Sequence, residues 1–209
     1  MRRPLTIMSL STAALIIGGT AAYADTIIGT PRDDRLVGTP RSDVIHGRGG
    51  DDRIIGRGGS DDLDGGPGND RAIGGPGRDG LVGKTGRDRL SGSGGNDDMT
   101  GSAGNDVLNG GPGADTIVDW LATEFAPGGS TGPANADTIN GGGGGDHIGF
   151  TDGRDTVRAG GGGDRLRTEN DRFADHIDCG PGFDVLIYFG TRDNQDTVLR
   201  CERVRTRAL

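Results

Sequence analysis

Cut every nine residues, the stretch from Gly29 to Val118 reads GTPRDDRLV, GTPRSDVIH, GRGGDDRII, GRGGSDDLD, GGPGNDRAI, GGPGRDGLV, GKTGRDRLS, GSGGNDDMT, GSAGNDVLN, GGPGADTIV. These ten units follow one another without a gap. Position one is always Gly, position six is always Asp, and position eight is apolar throughout. Position four is Arg in the first two units and Gly in the next eight. A period held in phase over such a length marks a repeat architecture, in which a unit buries its apolar face only by stacking on its neighbours. Composition agrees: 44 of 209 residues are Gly and 4% are aromatic, too few bulky side chains for a conventional core.

The glycines at positions one and four predict backbone with φ > 0 and sharp turns at both places. Asp33, Asp51, Asn69 and Asn96 at position five suit the same turn. The last three residues predict a short strand with position eight pointing inward and positions seven and nine outward. Each nonamer is then one turn and one strand, and two nonamers close a coil of eighteen residues.

Units such as Gly110-Gly111-Pro112-Gly113-Ala114-Asp115-Thr116-Ile117-Val118 resemble the hemolysin-type (RTX) calcium-binding repeat, GGxGxDxUx, where U is a large apolar residue. The resemblance covers nearly all of the chain after residue 24. It implies an all-β, right-handed parallel β-roll, a β-helix solenoid with two repeats per coil, and several Ca2+ ions as cofactors.

The physics of the spacing leads to the same cation. Coils stack about 4.8 Å apart, so aspartates eighteen residues apart lie one above another. One edge carries Asp34, Asp52, Asp70, Asp88 and Asp106; the other carries Asp25, Asp43, Asp61, Asp79, Asp97 and Asp115. Nine such stacked pairs precede residue 118. Asp137, Asp146, Asp155 and Asp164 resume the nine-residue spacing and complete the expected metal ligands, with Asp175, Asp184 and Asp196 centring irregular units beyond them. Stacked carboxylates repel unless a cation intervenes. A hard ion taking six to eight oxygens, with turn carbonyls completing the shell, fits calcium better than magnesium. Zinc would require a Cys or His cluster, and His46, His147 and His176 are scattered.

Residues 1–24 read as a signal peptide. Arg2 and Arg3 precede a short apolar stretch from Ile7 to Ile17, and Ala22-Tyr23-Ala24 offers a small-x-small cleavage site. The stretch is too short for a membrane span. The mature chain would begin at Asp25 with 21 basic and 31 acidic residues, and a single lysine, Lys84. So acidic a chain is expected to attract cations, not nucleic acid. Secretion to the cell exterior or cell surface is the expected destination.

Four regions follow: the leader, a regular roll over 25–118, an inserted loop over 119–134, and irregular repeats over 135–209. The loop carries Trp120 and Phe125 and runs into Pro127-Gly128-Gly129-Ser130-Thr131-Gly132-Pro133. Cys179 and Cys201, the only cysteines, fall near one corner of adjacent coils, and export favours their pairing as a C-terminal cap.

No catalytic constellation emerges. Gly128 to Gly132 matches G-x-S-x-G but lacks the strand and helix such an elbow needs. Gly83-Lys84-Thr85 lacks the correctly spaced glycine of a phosphate loop. The chain is therefore expected to be no enzyme but a structural or adhesive calcium-binding protein; the alternative is a hydrolytic or carbohydrate-active protein using the 119–134 loop. Arg35, Arg53, Arg71 and Arg89 at position seven should stack on one outer face, beside Val37, Ile55 and Ile73, while the opposite face carries Asp62 and Asp98. An anionic cell-wall or extracellular polymer is the partner this ladder would suit.

Overall fold

The computed structural model describes residues 15–17, 25–119, 136–151, 153–169 and 173–207. Most of the expected leader and all of the 119–134 loop except Asp119 lie outside these residues. Those described form a parallel β-solenoid of about nine turns. Its two sheets have eleven and nine strands, and from Thr26–Ile28 onward successive strands of the chain alternate between them. No helix occurs among the described residues, so none there is long and apolar enough to cross a membrane.

Pairing follows the eighteen-residue coil. Leu36 pairs with Ile54, Ile54 with Ala72 and Ala72 with Leu90 in one sheet. In the other, Ile27 pairs with Ile45, Ile45 with Leu63 and Leu63 with Leu81. These position-eight side chains form the core, each at most 3% exposed. Burying one such aliphatic side chain contributes about 1.5–3 kcal/mol, so a core one side chain thick per strand is sustained only by continuous stacking.

The insertion leaves the register intact. Leu108 pairs with Ile139 and Ile117 with Ile148, thirty-one residues on instead of eighteen. The roll therefore resumes where it stopped. Leu15–Ile17 lies antiparallel against Thr26–Ile28 and is the one antiparallel strand among the described residues.

Two expectations need correction. The strands are not confined to three residues: from Asp62–Pro67 onward many run for six, extending into the next unit. Positive φ falls at positions two and four, not at one and four. Position four is Gly50, Gly59, Gly68 and their successors, whereas position two includes Arg48 (φ 82°), Arg57 (91°), Lys84 (85°), Ser93 (87°) and Ser102 (80°). Position-one glycine serves another purpose, apparent at the aspartates. The Cys179–Cys201 disulfide is formed, with Cα atoms 5.1 Å apart. Every residue of the last strand, Arg203–Arg207, is exposed, and its three arginines blunt that edge.

Candidate metal centre

The turn before each short strand places the position-six aspartate at the corner of the coil with its side chain inward. Asp52, Asp61, Asp70, Asp79, Asp88, Asp97, Asp106, Asp115, Asp137 and Asp146 are each at most 3% exposed. Their two oxygens have different environments. One accepts a backbone N–H from the aspartate one turn earlier: Asp52 donates to Oδ1 of Asp70 and Asp70 to Oδ1 of Asp88, both at 2.8 Å. The ladder crosses the insertion, where Asp106 donates to Asp137 and Asp115 to Asp146. The other oxygen, Oδ2, is buried without a hydrogen-bond partner in all ten. An acceptor left unsatisfied in this way costs about 1–3 kcal/mol, and more when charged.

Position-one glycine lies against that oxygen. A Cβ on Gly47 would overlap both Asp52 Oδ2 and the carbonyl oxygen of Gly65, one turn away. The same pair of atom types crowds Gly56 (Asp61 and Gly74), Gly83 (Asp88 and Gly101) and Gly110 (Asp115 and Gly141). Glycine is invariant here because the corner holds a carboxylate oxygen and a main-chain carbonyl on either side of one small gap.

Burial makes the charge uncomfortable. Loss of hydration pushes Asp52, Asp70, Asp79 and Asp146 up to about 6, and Asp88 and Asp137 up to about 7. Neighbouring carboxylates add to the rise, and the donated backbone N–H opposes it. A carboxylate in this position either keeps its proton or receives a cation.

The aspartates named from the sequence are not equivalent. Asp34 and Asp43 sit in the two Thr-Pro-Arg units, where Oδ2 accepts the Thr30 N–H at 2.6 Å and the Thr39 N–H at 2.5 Å. The Thr30 and Thr39 hydroxyls donate to the same carboxyl groups. Asp25 is only half-buried, though its N–H donates to Asp43. For Asp155 and Asp164 the position-one residue is Phe150 or Ala159 in place of glycine, although Asp164 Oδ2 is buried without a hydrogen-bond partner as in those ten. Sequence reading missed Glu202, eighteen residues after Asp184. Its carboxylate accepts the Asp184 N–H at 2.7 Å and extends the ladder by one turn.

Among the described residues no three His, Cys, Asp or Glu side chains converge on one point. Each corner offers one carboxylate oxygen and main-chain carbonyls. This all-oxygen set suits a hard cation and excludes a thiolate- or imidazole-held one. A family model described as the RTX calcium-binding nonapeptide repeat matches residues 28–63, 37–72, 55–90, 73–108, 82–117 and 132–148. The chain belongs to this family. A comparison with curated proteins finds no match. Membership makes calcium the cation to which these RTX corners are suited.

The arginine ladder also takes shape. Arg35, Arg53, Arg71 and Arg89 are successive partners in the nine-stranded sheet, all exposed, and none forms an ion pair among the described residues. Gly83-Lys84-Thr85 lies in the strand Gly80–Thr85 and opens no helix.

Proposed function

We propose that this chain is a secreted RTX protein whose fold is switched on by calcium and whose role outside the cell is structural or adhesive, not catalytic. The observation that carries this reading is the row of buried, unpartnered Oδ2 atoms from Asp52 to Asp146, each beside a position-one glycine wherever that residue is described. Without a cation each costs free energy; with one, the cost becomes a bond, and metal affinity is folding free energy. Ions are assigned to the corners from Asp52 to Asp115 and to Asp137 and Asp146. Asp34 and Asp43, already served by threonines, cap the stack. Asp25, Asp155 and Asp164 hold calcium less strongly.

The leader-like residues 1–24 and the disulfide support export to an oxidising, calcium-rich exterior. There the arginine ladder faces outward, and an anionic surface polymer is its natural partner.

A calcium titration of the chain starting at Asp25, followed by far-UV circular dichroism, tests the proposal. β-Structure is expected to appear at roughly 0.1–1 mM calcium, the range of extracellular modules, and magnesium at equal concentration should do far less. A β-rich spectrum persisting in excess chelator at neutral pH would overturn it. N-terminal sequencing of the exported protein should begin at Asp25.

A further inference from the structure

The C-terminal third of the eleven-stranded sheet carries a second cationic feature, outside the unbroken run of nonamers from Gly29 to Val118. Val185 pairs with Arg165 on one side and Arg203 on the other; Ile187 pairs likewise with Arg167 and Arg205. An apolar stripe thus runs between two arginine rows. Together with Arg207 and Phe183 these residues line an open groove of about 460 Å³. Arg203 lies over the Phe183 ring at 4.8 Å, and Phe183 is 56% exposed.

Three observations bear on what this groove takes. First, all five arginines are exposed, and none pairs with a carboxylate among the described residues, whereas Arg200 and Arg78 pair with Asp178 and Asp98. Among the described residues the one acid lining the groove, Asp164, is fully buried and accepts the Asp146 N–H. Secondly, the groove does not end at Arg165 and Arg167. These two also line an adjoining hollow of about 340 Å³ that continues over Thr116, Val118, His147 and Gly149. The path crosses five strands, a length of about 19 Å at the usual strand spacing. Thirdly, its floor is apolar while its walls are guanidinium groups, whose planar forks match carboxylate and sulfate oxygens in pairs.

A single small anion would use neither the length nor the floor. We propose that this groove binds a linear acidic polysaccharide, whose ring C–H faces lie on Val118, Val185, Ile187 and Phe183 while its carboxylates or sulfates meet the arginines. The site is separate from the arginine ladder, which lies on the other sheet. It requires the roll to be folded, and so rests on the calcium reading, but not on the assignment of any one ion.

The test uses the disulfide-intact chain from Asp25 in 1 mM calcium, with hexagalacturonate and a sulfated hexasaccharide as probes and maltohexaose as the neutral control, followed by titration calorimetry. Arg167→Gln with Arg205→Gln should weaken binding of the acidic probes at least tenfold with an unchanged far-UV spectrum. Replacing Arg35, Arg53, Arg71 and Arg89 by Gln should leave that binding within twofold. Phe183→Ala should cost several-fold at 200 mM salt, where the charge contribution is screened. The proposal fails if the double variant binds like the parent, if the ladder variant loses binding in its place, or if maltohexaose binds equally well. It also fails if phosphatidylglycerol vesicles bind and no oligosaccharide does. Failure of the calcium reading shows separately, as a far-UV spectrum that does not respond to calcium before any sugar is added.

Discussion

Replacing Asp70 by Asn and by Ala separates the two jobs of a corner aspartate. Its Oδ1 accepts the buried Asp52 N–H at 2.8 Å, and its Oδ2 has no protein partner. Asn keeps an acceptor for that N–H and removes the charge offered to calcium. Losing one charge-assisted ligand costs about 1.5–3 kcal/mol, or roughly ten- to a hundredfold in affinity at that corner. Ala also strands the Asp52 N–H, adding about 1–3 kcal/mol that no calcium concentration recovers. In a calcium titration read by circular dichroism, Asp70→Asn should shift the midpoint upward and lose most of its deficit at saturation. Asp70→Ala should remain less heat-stable even in saturating calcium. Asp34→Asn, at a corner already served by Thr30, should leave the midpoint unmoved. If Asp70→Asn titrates like the parent, or Asp34→Asn shifts as far, the assignment of Oδ2 to calcium is wrong.

Other outcomes follow from the same geometry. Gly83→Ala should destabilise the calcium-loaded roll by about 1–3 kcal/mol through overlap with Asp88 Oδ2 and Gly101 O. Gly94→Ala, where a Cβ meets nothing within 4 Å, should be neutral or slightly stabilising, and denaturant midpoints of the two variants make the comparison. The calcium-free chain should hold more β-structure in acid. The folded carboxylates lie near 6–7 against 3.8 when unperturbed, so their contribution is complete below about 3.8 and disappears as pH rises through 6–7. A chelator-dialysed sample whose β signal grows toward neutral pH would contradict this. Cys201→Ser opens a loop spanning 22 residues and should cost about 3 kcal/mol, read as a lowered melting temperature without loss of the calcium response.

The nine-residue phase made the eighteen-residue register, the inward row at position eight and the resumption after the insertion legible before any coordinates. Each depends only on periodicity, and the thirty-one-residue step at Leu108–Ile139 shows how little the inserted residues disturb it. Composition alone misled where one residue type serves two ends. Glycine at position one looks like a turn residue, but its reason is the carboxylate and carbonyl beside it, which only the neighbouring coil supplies. Conversely, Arg48, Arg57 and Lys84 adopt positive φ at position two, where no glycine signals the turn. Thr30 and Thr39 stand in plain view at that same position, yet their bonds to Asp34 and Asp43 depend on a side-chain geometry that spacing does not encode. The arginine groove was hidden because a step of twenty residues, not eighteen, separates Arg165 from Val185, and a period of nine does not align Arg165 with Arg203.

The N–H to Oδ1 ladder has a consequence for how such a chain can grow or shrink. Each link joins a residue only to its counterpart one coil away, so the array has a unit of length and no preferred total. Excising eighteen residues from the regular stretch would rejoin the ladder and leave every later side chain on its original sheet. Excising nine would move all that follows to the other sheet, bringing Arg89 into the row of Asp62 and every later outward residue onto the wrong face. Insertions and losses that preserve this surface must therefore come in whole coils or, like the thirteen residues added between Asp115 and Asp137, leave the ladder to resume in register beyond them.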